Sequence, residues 1–316
     1  MKSFALVAAL SCLGTSLLLG SVAWAGDPSQ HLAVVPGSTI EVVGIDLDGD
    51  ADARRVAQLY LGRDLHFATL LDWLGRARLP RGIHDALMMS DGIGQSAFVV
   101  TLDPMNDIQR QTFEAMMRAA GLTDQRGGRA ATRGLKAWFP AEPSTGERDT
   151  FERPPDFSVL ELSATTFVLG HRSIVEQIQT GLTRRGKATA PAVVTALGTP
   201  AVGASVWFAS LAPAAAVPEP IVTTGVLTVD HGLLLELKFS CRTEADANTF
   251  RDQTRAWLAP DGDHHELDWL GLAPGALSRT VDTRVADRVH VVLTLTDKET
   301  STILASVLET LAPAGP

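Results

Sequence analysis

Asp46-Leu47-Asp48-Gly49-Asp50-Ala51-Asp52 sets carboxylates at four alternate positions. Hard cations prefer oxygen ligands, so Asp46, Asp48, Asp50 and Asp52 are the chain's candidate metal ligands, and calcium is the one cofactor they suggest. An EF-hand loop needs glycine sixth and glutamate twelfth. Counted from Asp46, those places hold Ala51 and Ala57. The competing reading is a strand-to-helix turn. In it Asp52 caps a helix beginning at Ala53, and Asp48 or Asp50 adds charge near the helix's positive end.

Other constellations yield to structural explanations. Asp261-Gly262-Asp263-His264-His265-Glu266 gathers ligand types, but adjacent histidines seldom converge on one ion, and a solvated loop explains the run. Gly181 to Lys187 has the spacing of a phosphate-binding loop. Ala188 stands where serine or threonine should hold magnesium, and the segment ends a helix instead of opening one. A helix C-terminus presents carbonyls, which repel phosphate; Gly186 reads as its cap. Gly92-Ile93-Gly94 is a turn without the third glycine of a dinucleotide fingerprint. Ser205 lacks the second glycine of a nucleophile elbow. His31, His66, His84, His171, His231 and His290 are scattered, with no nucleophile paired to them in sequence. No catalytic and no cofactor-binding residue is assigned. Trp138-Phe139 and Trp207-Phe208 read as strand core.

The context comes from the first 25 residues. Met1-Lys2 is a short positive start, Phe4 to Leu19 is mostly apolar, and Ala23-Trp24-Ala25 offers small residues at a peptidase site. This is the anatomy of a secretory signal, expected to be cut after Ala25. Ala9-Leu10-Ser11-Cys12 only partly matches a lipoprotein box, since Ala9 stands where leucine is usual. A periplasmic or extracellular location is therefore expected, ahead of a lipid-anchored or signal-anchored form. No later segment has the roughly 18 continuous apolar residues of a membrane helix.

Acidic residues outnumber basic ones by 36 to 27, a formal charge of −9. That disfavours nucleic acid and anionic membrane surfaces as partners. Hydrophobic content of 45% with 20% charged residues predicts a chain that folds around a core. Of two cysteines, Cys12 lies in the leader, which leaves Cys241 with no partner for a disulfide inside the chain. A buried structural thiol is expected.

The elements that must position these residues repeat an order. In the later part Ala204–Leu211 reads as a strand, and Ile221–Val229 with Leu233–Phe239 as a hairpin whose second strand alternates apolar and polar residues. A helix follows, capped by Thr243 and Asp246, burying Ala247, Phe250, Trp257 and Leu258. Leu277–Val285 and Val289–Thr296 form a second hairpin. A last helix opens on the Thr296–Glu299 capping box and buries Ile303, Leu304, Val307, Leu308 and Leu311.

The earlier part has the same order with insertions. Thr39–Asp46 is a strand, 52–62 and 65–78 are helical, and Ile83–Ser90 pairs with Gln95–Leu102. Asn106–Ala120 is a helix, Phe157–Leu162 pairs with Thr166–Leu169, and Arg172–Arg184 is a helix. Glu142–Asp156 is an exposed loop, and Ala188–Pro200 a linker holding the short helical run Ala192–Leu197. The expected fold class is α+β: two tandem modules, each an antiparallel sheet covered on one face by helices, ordered strand, hairpin, helix, hairpin, helix. The expected divisions are 1–25 for the signal, 26–198 for the first module and 199–316 for the second.

The valine-rich first strand ending in Gly44-Ile45-Asp46, the hairpin–helix order, and Phe167-Val168-Leu169-Gly170-His171 resemble uncharacterised secreted or lipid-anchored envelope proteins of Gram-negative bacteria, of the myxobacterial kind. The resemblance spans residues 36–312 as an order of elements and implies no catalytic residues. The expected function is a non-enzymatic periplasmic protein that binds or scaffolds an envelope protein or another periplasmic component. The alternative is a secreted hydrolase whose site is assembled only in space. Oligomeric state is not legible.

Overall fold

The computed structural model describes residues 28–48, 61, 64–76, 82–124, 135–140, 156–183, 190–200, 204–212, 214–229, 232–259 and 276–311. Among them are twelve strands, antiparallel wherever they pair in register, together with helices, so the class is α+β. The expected helix over 52–62 lies outside the described residues except for Leu61. No helix among the described residues is long and apolar enough to cross a membrane. The chain divides into two compact units. The first comprises the described residues of 25–44 and 61–194; the second, those of 45–60 and 195–316.

The first unit begins with a 3-10 helix, Pro28–Val34, followed by β1, Glu41–Asp46, whose last two residues belong to the second unit. Then come α1 (Leu65–Arg76), β2 (Ile83–Ser90), β3 (Ser96–Leu102), α2 (Asp107–Ala119), β4 (Leu122–Asp124), β5 (Lys136–Pro140), β6 (Phe157–Glu161), β7 (Thr166–His171), α3 (Arg172–Thr183) and α4 (Ala192–Leu197), whose residues from Thr195 on belong to the second unit. The strands lie in the order β1-β2-β3-β7-β6-β5-β4. Asn106 and Gln109 form a reciprocal capping box at the start of α2.

Burial in this unit departs from the one-face expectation. Every residue of β6 is buried, and Phe98, Val99, Phe167 and Val168 are all fully buried although neighbours along a strand point to opposite faces. Register explains how. Phe98 pairs with Leu169, Val100 with Phe167, and Val159 with Leu169 and Trp138, which puts these side chains on one face. There Phe67 of α1 meets Phe98, Trp73 meets Phe157, and Phe113 of α2 meets Phe167, with centroids 5.2 to 5.6 Å apart. The other face carries Phe139, over which Arg172 of α3 sits at 5.4 Å. The sheet is thus covered on both sides. Two strands carry no readable period: β4 is three residues long, and β5 buries Ala137, Trp138 and Phe139 in succession.

Two carboxylates lie deep in this unit. Glu161 on β6 is 6% exposed; it accepts a hydrogen bond from Trp138 Nε1 at 2.9 Å and pairs with Arg110 of α2. Asp85 on β2 is fully buried, and its Oδ1 accepts from His31 Nε2 at 2.8 Å. Thr101 Oγ1 lies 3.2 Å from the same nitrogen.

The second unit contains β8 (Val206–Leu211), β9 (Val222–Val229), β10 (Gly232–Ser240), α5 (Glu244–Leu258), a 3-10 turn at Leu277–Arg279, β11 (Val281–Val285), β12 (Arg288–Thr296) and α6 (Asp297–Leu311). The expected strand over 277–285 is thus a 3-10 turn followed by a shorter strand. Strand order is β11-β12-β10-β9-β8. Here the alternation holds. Leu227, Leu235 and Leu293 align across three strands, as do Val229, Leu233 and Leu295, on the buried face. Phe239 meets Phe250 of α5 at 4.9 Å. Leu234 and Lys238 face outward. Gly225 makes room for a close approach, since a Cβ there would strike the Phe208 ring and Leu237. Both expected caps form: Thr243 Oγ1 accepts from Asp246 N–H, and Thr296 Oγ1 from Glu299 N–H. In α5 the buried positions are Ala247, Phe250 and Thr254, while Trp257 and Leu258 are half-buried. In α6 Ile303 is buried and Leu304 half-buried; the side chains of Val307, Leu308 and Leu311 lie outside the described residues.

Two predictions follow from these polar contacts. Replacing His31 with alanine strips Asp85 of its close partner inside the unit, which should cost about 3 kcal/mol in denaturant unfolding; His31→Asn, which retains a donor, should lose less. Glu299 accepts from Arg279 and from Thr296, and these bonds hold its carboxyl down to about 2. A depressed carboxyl stabilises the fold above its unfolded value and ceases to do so as pH falls to its folded one. Glu299→Gln should therefore melt below the parent chain at neutral pH, by less than about 1 kcal/mol for so exposed a pair. The difference should close between about pH 4 and pH 2.

Candidate functional site

The aspartate run is only partly visible. Asp46 ends β1, and its Oδ1 accepts the Asp48 backbone N–H at 3.0 Å, a turn closed within the run. Asp50 and Asp52 lie outside the described residues, as do Asp261–Glu266 and the Arg184–Ala188 part of the phosphate-loop-like stretch. Gly181 to Thr183 complete the last turn of α3. Gly92 to Gly94 form the β2–β3 turn, where Asp91 Oδ1 accepts the N–H groups of Ile93 and Gln95. Trp138, Phe139, Trp207 and Phe208 are buried in strands. Cys241 is 2% exposed. Burial pushes its thiol up to about 11, and Asp246 and Asp287 add to the rise.

A convergence absent from any local motif lies in the first unit. His66 sits on the first turn of α1, His171 closes β7, and Asp156 directly precedes β6. Asp64 accepts the backbone N–H groups of His66 and Phe67 at 2.8 and 3.3 Å, capping α1. That cap sets the helix phase, so His66 turns inward with Phe67, Leu70 and Trp73. The His66 ring stacks against Phe157 at 5.7 Å. His171 shares the inward parity of Phe167 and Leu169. Gly170 lets β7 press on β3, because a Cβ there would come within 2.5 Å of Ala97 Cα.

Asp156 spans the two rings. Its Oδ1 is 3.6 Å from His66 Nε2, and its Oδ2 is 3.5 Å from His171 Nε2. The three ligand atoms lie within 4.8 Å of one another, and the ring centroids are 4.3 Å apart. Behind them stands a second layer. Asp64 Oδ1 is 3.2 Å from His66 Nδ1, and Asp64 Oδ2 accepts the Ser96 hydroxyl at 2.9 Å. His171 Nδ1 is 3.0 Å from both the N and the O of Ser96. Burial raises the Asp64 carboxyl, but the hydrogen bonds from His66 and Ser96 outweigh it and hold the group below the usual carboxylate range.

The arrangement constrains its own chemistry. With the Nδ1 hydrogen given to Asp64, a neutral His66 aims its Nε2 lone pair toward Asp156. A lone pair facing a carboxylate oxygen is held by whatever serves both, a cation, a bridging water or a proton on the ring. His66 is 4% exposed, whereas the Asp156 side chain is 43% exposed. The cluster therefore has a buried floor and an accessible rim.

Scattered histidines gave no local motif for this site. Two signals did exist in the pattern. His66 stands four and seven residues before Leu70 and Trp73, on the apolar stripe, and His171 stands on the apolar parity of β7. Asp156 has no such signal.

No known protein-family model matches the chain, and no curated protein matches its sequence. A solved structure, crystal form I of TP0453, is similar at 11% identity with a TM-score of 0.48, over 92% of this chain and 100% of that one.

The thiol assignment has a direct check. An aromatic disulfide reagent at pH 8 should leave Cys241 unmodified in the folded chain and label it fully in guanidinium. Rapid labelling of the folded chain would contradict the buried assignment.

Proposed function

We propose that this chain is a non-enzymatic periplasmic envelope protein that binds or scaffolds another envelope component. The leader pattern of Met1 to Ala25 supports export. The observation that carries the binding role is β11. It ends its unit's strand order, and among the described residues no strand lies beyond it. Val281 and Val285 on it are 60% and 75% exposed. An open edge with β-branched residues facing solvent is a template for pairing with an extended segment of another chain. Asp282 and Arg284, the alternate residues, are engaged with Arg255 and Glu244 of α5. They hold the strand in place while leaving the valines outward.

The same proposal takes residues 26–198 and 199–316 as tandem modules of one plan. Its support is a shared chain order: β8, β9–β10, α5, β11–β12, α6 in one stretch, and β1, β2–β3, α2, β6–β7, α3 in the other. It also keeps the kinship with myxobacterial-type envelope proteins that the order of elements suggests. The hydrolase alternative has less support, because the Ser96 hydroxyl donates to Asp64 and not to a histidine.

A photo-crosslinking residue at position 285, expressed in the Gram-negative envelope, should yield a discrete higher-mass adduct. The same residue at the exposed helix position Arg76 should not. Val285→Lys introduced with the crosslinker at 281 should abolish the adduct. Recovery of monomer alone from position 285 would overturn the binding role.

A further inference from the structure

We propose that His66, His171 and Asp156 bind one divalent transition-metal ion of the zinc class. The site goes beyond the binding role assigned to β11 and stands without it, since all its residues lie in the first unit. Four observations meet here. The donors are two imidazole nitrogens and one carboxylate oxygen, the set that zinc accepts in three-ligand sites. Two of the three spacings are close to what the ion needs, and all lie within 4.8 Å: with bonds of about 2.0–2.1 Å, tetrahedral ligands sit about 3.3 Å apart. Asp156 already lies 3.6 and 3.5 Å from the two nitrogens. Contraction by a few tenths of an ångström closes those edges.

The third observation is His66 itself. Its ring is 4% exposed, and Nε2 has no hydrogen-bond partner. A buried nitrogen left in that state is a standing cost unless something fills the space it faces. It faces Asp156. The fourth is the outer layer. Metal-binding histidines commonly give their other nitrogen's hydrogen to a carboxylate or a carbonyl, which fixes the tautomer and the ring. His66 Nδ1 has the Asp64 carboxylate at 3.2 Å, and His171 Nδ1 has the Ser96 carbonyl oxygen at 3.0 Å. At His66 this leaves Nε2 as the electron-pair donor; at His171 the Ser96 N–H also reaches Nδ1 at 3.0 Å, and ion binding selects the tautomer whose Nδ1 hydrogen goes to the Ser96 carbonyl. Imidazole donors select zinc, copper or nickel over calcium and magnesium, which require oxygen shells. The half-exposed Asp156 leaves a fourth position open to water.

The test is calorimetric titration of the purified, chelator-treated chain with zinc chloride. One ion per chain should bind. Asp156→Asn, at an exposed position that should tolerate the change, and His171→Gln should each weaken binding by about 100-fold or more. Asp64→Asn keeps the helix cap but loses the charge behind His66, and should weaken zinc by about 10- to 100-fold. Unchanged metal-free melting curves for Asp156→Asn and Asp64→Asn separate ligand loss from misfolding. His264→Ala with His265→Ala should leave binding intact, and millimolar calcium should not displace zinc. Absence of stoichiometric binding, equal affinity in Asp156→Asn and His171→Gln, loss of binding in the His264/His265 variant, or displacement by calcium would each overturn the proposal.

Discussion

A carboxylate removed from water must be met by a cation or by hydrogen-bond donors, or the fold carries several kcal/mol of uncompensated charge. The first unit places Asp85 and Glu161 in its interior and answers each from a different element. His31 reaches Asp85 from the 3-10 helix at Pro28–Val34. Arg110 of α2 and Trp138 of β5 reach Glu161 on β6. These pairings limit how the pieces can dock: a helix that slid by one turn would strand a charge. The apolar contacts supply driving force, but aromatic packing alone tolerates sliding. The charged contacts specify position.

The second unit solves a simpler problem. Its strands β9, β10 and β12 alternate, so one face meets α5 and α6 while the other takes polar residues such as Lys238 and Thr294. Its ion pairs lie mainly at the surface, as with Arg284 and Glu244, and its helices are secured by local caps. The same class of architecture thus rests on two balances. In one unit buried polarity specifies packing; in the other the period of the strands does most of that work.

The histidine–aspartate cluster belongs to the logic of the first unit and exceeds it. Asp64 is answered on both oxygens, by His66, by Ser96 and by the N–H groups of α1. Asp156 differs. It lies at the rim with two imidazole nitrogens beyond ordinary hydrogen-bond reach. Buried His66 Nε2, which faces it, has no hydrogen-bond partner. What sets the cluster apart is the convergence of three ligand atoms within 4.8 Å of one another at a half-exposed rim.

Local physics was legible from sequence wherever it repeats along the chain. The β2–β3, β9–β10 and β11–β12 hairpins follow from alternation and turn residues; α2, α3, α5 and α6 follow from apolar stripes, and Thr243 and Thr296 announce their caps. Strand β5 escaped because Ala137, Trp138 and Phe139 are all buried, which erases the period that would have betrayed it. The expected leader pattern of Met1 to Ala25 and the acidic balance are read from residue types alone and need no fold. His66, Asp156 and His171 are different in kind. Ninety residues separate the first from the second, and what joins them is the phase of α1 set by Asp64 and the close approach of β7 to β3 at Gly170. Sequence determined the elements, because their causes act over a few residues. Tertiary structure alone decided the site, because strand pairing and helix docking bring its donors together across distances that no local pattern encodes.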